Sequence, residues 1–229
     1  MNPQTTISRT GALSPLLTAA LSAGLFWLAP EHARAESIAS TAVSLAVAPG
    51  ASLELDGDST LHRYSAKAHG IEVGLDVDPA RATAAEQPSD VEGLIRGHFV
   101  RTFQLMVPVD KLSSGERGLD ENMHKALKGN QYKQIRFRME SYDVLAPSVA
   151  GAAFVVAMHG RLSLAGVERK VDVNATGVRL KGSIQLSGSK DLLMTDYQIK
   201  PPTMMLGAIK TANLITVKFN ATIQKGIKQ

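Results

Sequence analysis

The chain contains no cysteine. Disulfide staples, thiolate nucleophiles and thiol metal ligands are therefore excluded, and so is a lipid-modified cysteine anchor. Aromatic residues are scarce, with one Trp, four Tyr and six Phe, and Trp27 falls in the N-terminal segment. Any core or cavity must then be mostly aliphatic and methionine-bearing. There is no run of five or more like charges, no internal repeat and no low-complexity tract. Basic residues do not interleave with aromatics, which argues against nucleic-acid binding. After the first thirty residues no long apolar stretch recurs, so the remainder reads as a soluble chain without a membrane-spanning helix.

That first stretch reads as an export signal. Arg9 gives a positive start, residues 11–29 are largely apolar, and Ala33-Arg34-Ala35 has the small-x-small pattern of a cleavage site. Pro15 and Pro30 interrupt the run, which falls short of the ~20 clean apolar residues a span needs. The expected domain organisation is a cleaved signal over residues 1–35, cut after Ala35, and one domain over 36–229. The expected destination is the periplasm. Roughly 190 residues suit a single β domain with a core of its own. The formal charge of +4 loses two positives and one negative with Arg9, Arg34 and Glu31, leaving +3. Such a surface permits weak attraction to an anionic membrane.

Beyond residue 50 the dominant period is two. Ile215, Val217, Phe219, Ala221 and Ile223 alternate with Thr216, Lys218, Asn220, Thr222 and Gln224. Val171, Val173 and Ala175 alternate with polar neighbours in the same way, as do Ile135, Phe137 and Met139. Phe103, Leu105, Val107 and Val109 form another set, and Phe154, Val156, Met158, Leu162 and Leu164 a fifth. Strict alternation gives each strand one buried and one wet face. Asp56-Gly57-Asp58, Ala165-Gly166 and Lys181-Gly182 read as turns between strands. Many strands with short turns predict an antiparallel sheet closed into a barrel or folded into a sandwich. One helix interrupts the pattern near residues 119–128. Leu119, Met123, Ala126 and Leu127 fall at helical spacing, with Asp120 and Glu121 early, Lys125 and Lys128 late, and Gly129 as the expected C-cap. Residues 83–90 read as a polar loop insert.

Catalytic and metal chemistry find little support. Asp58, Ser59 and His62 lie within five residues of one another, whereas triads draw their members from separate elements; no G-x-S-x-G elbow accompanies them. They read as a turn bonding its own backbone. His62, His69, His98, His124 and His159 show no H-x-H or H-E-x-x-H spacing. The expectation is no enzyme, no catalytic residue and no metal.

Three stretches in order carry a resemblance. They are Asp58-Ser59-Thr60-Leu61-His62; Val107-Pro108-Val109-Asp110-Lys111-Leu112-Ser113-Ser114-Gly115 with the following helix and Tyr132-Lys133-Gln134-Ile135-Arg136-Phe137; and Gly160-Arg161-Leu162-Ser163-Leu164-Ala165-Gly166-Val167. Together with the tail Thr195-Asp196-Tyr197-Gln198-Ile199-Lys200-Pro201-Pro202, they resemble the YceI family over roughly residues 53–223. Lys133 stands where that family usually has proline, Gln198 where it usually has glycine, and Asn213 where an acidic turn residue is common.

The resemblance implies an all-β fold: an eight-stranded antiparallel β-barrel of lipocalin-like shape, with the short helix near one end. It implies a lumen that holds an isoprenoid or quinone-like lipid without covalent attachment, and a small amphiphilic lipid as partner. The apolar rows place Leu105, Val107, Phe137, Met139, Phe154, Val156, Met158, Val173, Val217 and Phe219 as the candidate lumen lining, with His62 as candidate contact for a ligand head. The same rows are compatible with a filled barrel serving a structural or interaction role in the envelope. Met204-Met205-Leu206 reads equally as a mobile apolar lip or as a buried plug.

Overall fold

Period-two alternation becomes strand almost wherever it occurs. The structure, a computed structural model, describes residues 43–78, 80, 88–145, 153–204, 206 and 208–226. The N-terminal segment expected to be a signal, residues 83–87 of the expected polar insert, Met205 and the side chain of Met204 lie outside that description. The strands are β1 (Leu45–Val47), β2 (Ser52–Ser59), β3 (Tyr64–Ala68), β4 (Glu72–Val77), β5 (Val100–Pro108), β6 (Leu112–Ser113), β7 (Gln134–Leu145), β8 (Phe154–Leu164), β9 (Val167–Leu180), β10 (Ser183–Leu193), β11 (Thr203–Met204) and β12 (Ile209–Lys225). Two helices accompany them, α1 (Val91–Arg96) and α2 (Arg117–Ala126). Among the described residues no helix is long and apolar enough to cross a membrane.

The strands form one strongly curled antiparallel sheet, in the order β4-β5-β7-β8-β9-β10-β12-β2-β3-β6, with β1 and β11 added on β12. The two ends of that order are joined by the chain itself. β3 continues into β4 through residues 69–71, and β5 continues into β6 through the 3-10 turn Val109–Lys111. As two long bent strands they pair along both halves, β4 on β5 and β6 on β3, and between the halves the His69 N–H donates to the Lys111 carbonyl at 2.9 Å. Counted so, the sheet is the expected eight-stranded ring, in the order β2, β3–β4, β5–β6, β7, β8, β9, β10, β12. Its ladders are not continuous: β10 pairs β9 only over Ser183–Gly188. β1 packs beside β4, yet among the described residues β1 pairs only with β12 and β4 only with β5.

Pairing puts the apolar rows on one face. Phe137 lies opposite Leu162, Met158 opposite Val173, and Val217 opposite Leu55. A register shift between Met139 and Ser141 in β7 flips the parity, so that Tyr142 is buried after Phe137 and Met139. Alternation read from Ile135 onward does not anticipate that switch.

Three local expectations change. Asp56-Gly57-Asp58 is no turn, because all three lie within β2. A Cβ on Gly57 would sit 2.2 Å from the Tyr64 ring, so the glycine makes room for an aromatic on the next strand, and the chain reverses only after Ser59. The predicted helix forms as α2, but Lys128, not Gly129, takes the left-handed conformation, at φ 53°. A Cβ on Gly129 would lie 2.9 Å from Val109, so its small size serves close packing. The helix α1 was not anticipated. Its signal is nonetheless in the sequence: Asp90 accepts from the Gly93 N–H as N-cap, and Val91, Leu94 and Ile95 at positions i, i+3 and i+4 are buried.

α1 closes one end of the ring. Val91, Leu94 and Ile95 pack with Leu45, Phe137, Met139, Tyr142, Phe154, Val156, Met158, Ala175, Ile184 and Ile223 in one continuous core. The buried Tyr142 hydroxyl donates to the Ile95 carbonyl at 2.9 Å. Around α2, a second core gathers Val107, Val109, Leu112, Leu127, Ala165, Tyr197 and Ile199. Asp120 fixes the approach to that helix, accepting from Ser114 N–H (2.6 Å), Ser114 Oγ (2.7 Å) and Ser113 Oγ (2.7 Å). Burial pushes the Asp120 carboxyl up, but the three donors together hold it below the usual carboxylate range.

Candidate lipid-binding lumen

Between the two cores the barrel is hollow. A cavity of about 170 Å³ occupies the middle, and a second of about 110 Å³ adjoins it towards α2. Leu55, Ile135, Leu164, Leu192 and Val217 line both, so the pair marks one slim path from the centre of the barrel to the α2 end. Cavities of about 150 Å³ walled by Leu, Ile and Phe stay dry and take benzene-sized apolar guests.

Of the residues expected to face the lumen, Leu105, Val107, Phe137, Met158, Val173, Val217 and Phe219 line the central cavity. Met139, Phe154 and Val156 do not. They are packed into the solid core beneath α1, with Phe154 only 1% exposed. The reason is the unanticipated helix: α1 fills the end of the barrel those three residues would otherwise have lined. Thus one half of the interior is filled and the other is open. Ile71, Val73, Leu112 and Leu192 also line the central cavity and were not singled out beforehand. Ile71 lies in the link between β3 and β4, and the other three belong to strands too short or too interrupted for their alternation to stand out.

His62 lies elsewhere. It is exposed in the β2–β3 turn, lines neither cavity, and its Nδ1 is 2.7 Å from the Arg63 carbonyl. Asp58 and Ser59 serve the same turn, Asp58 accepting from the Ser59 N–H at 2.8 Å and Ser59 Oγ donating to the His62 carbonyl at 2.8 Å. Among the described residues, no group of three or more His, Asp or Glu side chains could hold a metal ion.

Polar groups at the lumen are few. Tyr64 lines the smaller cavity; burial first, and then the charge of Asp58, push its phenol up to about 12, so it stays neutral at ordinary pH. Among the described residues, Lys190 is the one ionisable residue at the central cavity, whose wall is otherwise almost wholly apolar. It escapes a reading of the sequence because Ser189-Lys190-Asp191 looks like outer surface.

The α2 end carries an exposed apolar rim. Leu61 in the β2–β3 turn is 66% exposed, and Leu193, which faces Leu214 across the β10–β12 ladder, is 41% exposed and lines the smaller cavity. Leu206 is fully exposed in the β11–β12 connection, which bonds Thr60 through Ala208 and Lys210. Arg63 lies in the β2–β3 turn and Lys210 at the start of β12.

Comparison with known proteins agrees with this architecture. Residues 37–223 match the family model of the YceI-like domain. Among solved structures, the chain is similar to a polyisoprenoid binding domain from Saccharophagus degradans implicated in plant cell wall breakdown, at 14% identity and a TM-score of 0.56, covering 80% of this chain and 99% of that one. It is also similar to BcnA of Burkholderia cenocepacia, at 12% identity and a TM-score of 0.54, covering 75% of this chain and 95% of that one. A YCEI protein of Campylobacter jejuni aligns at 14% identity with a TM-score of 0.50, covering 71% of this chain and 85% of that one. At these identities the likeness is one of fold. No curated protein matches the chain.

Proposed function

The chain belongs to the YceI-like family, and from that premise we propose that it is an exported, non-catalytic carrier that shelters the tail of an isoprenoid or quinone-like lipid in its barrel. The observation that carries this reading is the hydrocarbon-walled path from mid-barrel to the α2 rim. Each buried CH₂ of a guest contributes about 0.8 kcal/mol, so about ten of them give roughly 8 kcal/mol before the entropic costs of binding. Met158 on the wall adapts to an irregular tail. The description of the Saccharophagus degradans domain as polyisoprenoid binding supports the same class of guest.

On this reading the N-terminal segment directs export to the periplasm and is removed after Ala35. The rim of Leu61, Leu193, Leu206 and Leu214, flanked by Arg63 and Lys210, rests weakly on an anionic lipid surface during exchange. The guest is held by burial alone, with no covalent attachment.

Native mass spectrometry of freshly purified protein, paired with solvent extraction, tests the proposal. The expected result is a co-purifying prenyl lipid, or stoichiometric uptake of added geranylgeraniol by the emptied protein. A chain that carries no lipid and takes up none sinks it.

A further inference from the structure

The central cavity has a neighbour on the outside of the barrel. Val47, Ala51, Ile71 and Val73, which line the cavity, also line an open groove of about 640 Å³. The groove follows the line where β1 lies beside β4 without a ladder, with residues 45–51 on one side and 68–75 on the other. The Ala48 N–H donates to the Thr222 carbonyl and the Gly226 N–H to the Ser44 carbonyl, both at 2.8 Å. The main chain of Ser44, Ala46 and Ala48 therefore faces β12, and that of Leu45 and Val47 faces the seam with no ladder partner. β1 and β4 come within 8 Å, Cα to Cα, whereas two strands flanking a third stand about 9.5 Å apart. The seam is thus too narrow to take an added strand from another protein. Among the residues lining the groove His69 alone has a polar side chain; the others are aliphatic, proline or glycine. A Cβ on Gly50, at the groove, would meet nothing within 4 Å, so the approach there is open.

A cavity of about 150 Å³ takes a benzene-sized guest. On that scale the central and α2-side cavities, about 170 and 110 Å³, hold on the order of a dozen carbon atoms. A longer prenyl chain overhangs. Straight ahead its way is shut, because Met139, Phe154 and Val156 pack solidly beneath α1. Sideways, the side chains of the four shared residues are common to lumen and groove. The far part of the groove is formed by Leu45 and Leu75, on the flank of that same solid core. We propose, resting on the carrier reading above, that the groove along the β1–β4 seam is an outer extension of the lipid site and takes the tail end of prenyl chains of about twenty carbons or more. Such a guest enters tail-first at the α2 rim, fills the lumen, turns aside at α1 and lays its last carbons along the seam. The passage breaks no ladder hydrogen bond. Affinity therefore keeps rising with chain length after the lumen is full, as further CH₂ groups leave water.

The test uses delipidated full-length protein and three probes: geraniol, which the lumen can hold whole, geranylgeraniol, and geranylgeraniol with a diazirine at the end remote from its hydroxyl. Thermal melting is the folding control. Geranylgeraniol is expected to bind about tenfold or more tightly than geraniol, and light to attach the diazirine within residues 45–51 or 68–75. Ala48→Glu puts a charge at the groove and not at the central cavity. It is expected to leave geraniol binding unchanged, to weaken geranylgeraniol by about tenfold and to drive the label from those segments. A label confined to the α2 rim, or geranylgeraniol binding untouched by Ala48→Glu, overturns the inference and leaves the carrier reading standing. If Ala48→Glu does not fold, the position of the label on the parent protein decides alone. Binding of neither alcohol removes the carrier reading, and the inference falls with it.

Discussion

Arg179 at the far end of β9 grips Glu92 on α1, with Nη2 2.6 Å from Oε1 and a second contact from Nε to Oε2. Glu92 also accepts from Arg96 Nε one helical turn on, at 2.5 Å, and the Arg96 guanidinium lies 4.8 Å from the centre of the Phe154 ring. A six-residue helix cannot hold itself together, so this fork and the apolar contacts of Val91, Leu94 and Ile95 keep the barrel end shut.

The hydrogen bond from Arg179 is the main cause that holds the Glu92 carboxyl below its usual range, against the opposing effect of burial. A depressed carboxylate adds stability above its unfolded-state value of 4.5 and loses it as pH falls through the folded value. Arg179→Ala is expected to speed hydrogen exchange over residues 91–96 at neutral pH. The difference from the parent should vanish in acid. Equal exchange rates at pH 7 would show that the fork does not hold the helix.

The solid and hollow halves of the interior should respond oppositely to mutation. Phe154→Ala empties a fully buried site beneath α1 and is expected to cost about 3–5 kcal/mol in denaturant unfolding, while prenyl uptake by the folded fraction persists. Val217→Phe pushes a ring into space both cavities share; it should change stability by less than about 1 kcal/mol and weaken geranylgeraniol uptake by about tenfold or more. Reversal of that pattern would place the guest elsewhere.

Gln198 follows the 3-10 turn Met194–Tyr197 at φ 53°, a left-handed backbone that glycine adopts without steric cost. Its side chain is exposed. Gln198→Gly should therefore raise stability by roughly 0.5–1 kcal/mol, the relief of strain exceeding the added entropy of the unfolded chain. A lower melting temperature in the variant would refute this account.

On the outer face His159 bridges two carboxylates, with Nδ1 2.7 Å from Asp172 and Nε2 3.3 Å from Asp143. The bond to Asp172, more than that to Asp143, raises its pKa above 6.5. The raised value means that the stabilisation is fully present below 6.5 and lost as pH climbs through the folded value. An NMR titration should place the His159 midpoint above 6.5, and Asp172→Asn should bring it down. An unchanged midpoint in that variant would assign the shift to another cause.

Period-two alternation marked the strands and grouped the apolar rows, because a strand with one wet face writes its orientation residue by residue, while the closed barrel and its lumen came from the family resemblance; Leu105, Val107, Phe137, Met158, Val173, Val217 and Phe219, grouped by parity, line the central cavity. What parity could not tell was depth. Phe154 and Val156 have the same alternation as Met158, but α1 covers their end of the barrel, and a six-residue helix leaves a faint periodic signal. The bulge after Met139 hid Tyr142, and Lys190 was masked by its polar neighbours. Gly57 looked like a turn because sequence alone does not distinguish a glycine that bends the chain from one that yields room to a neighbour's ring.

The line between β1 and β4 gives the wall an uneven hoop strength. Where a ladder runs, widening the circumference breaks backbone hydrogen bonds in a cooperative row; along this line, and between β9 and β10 beyond Gly188, it costs only side-chain contact. A guest stouter than the empty passage would therefore be accommodated by splaying at such seams, with the laddered staves keeping their register.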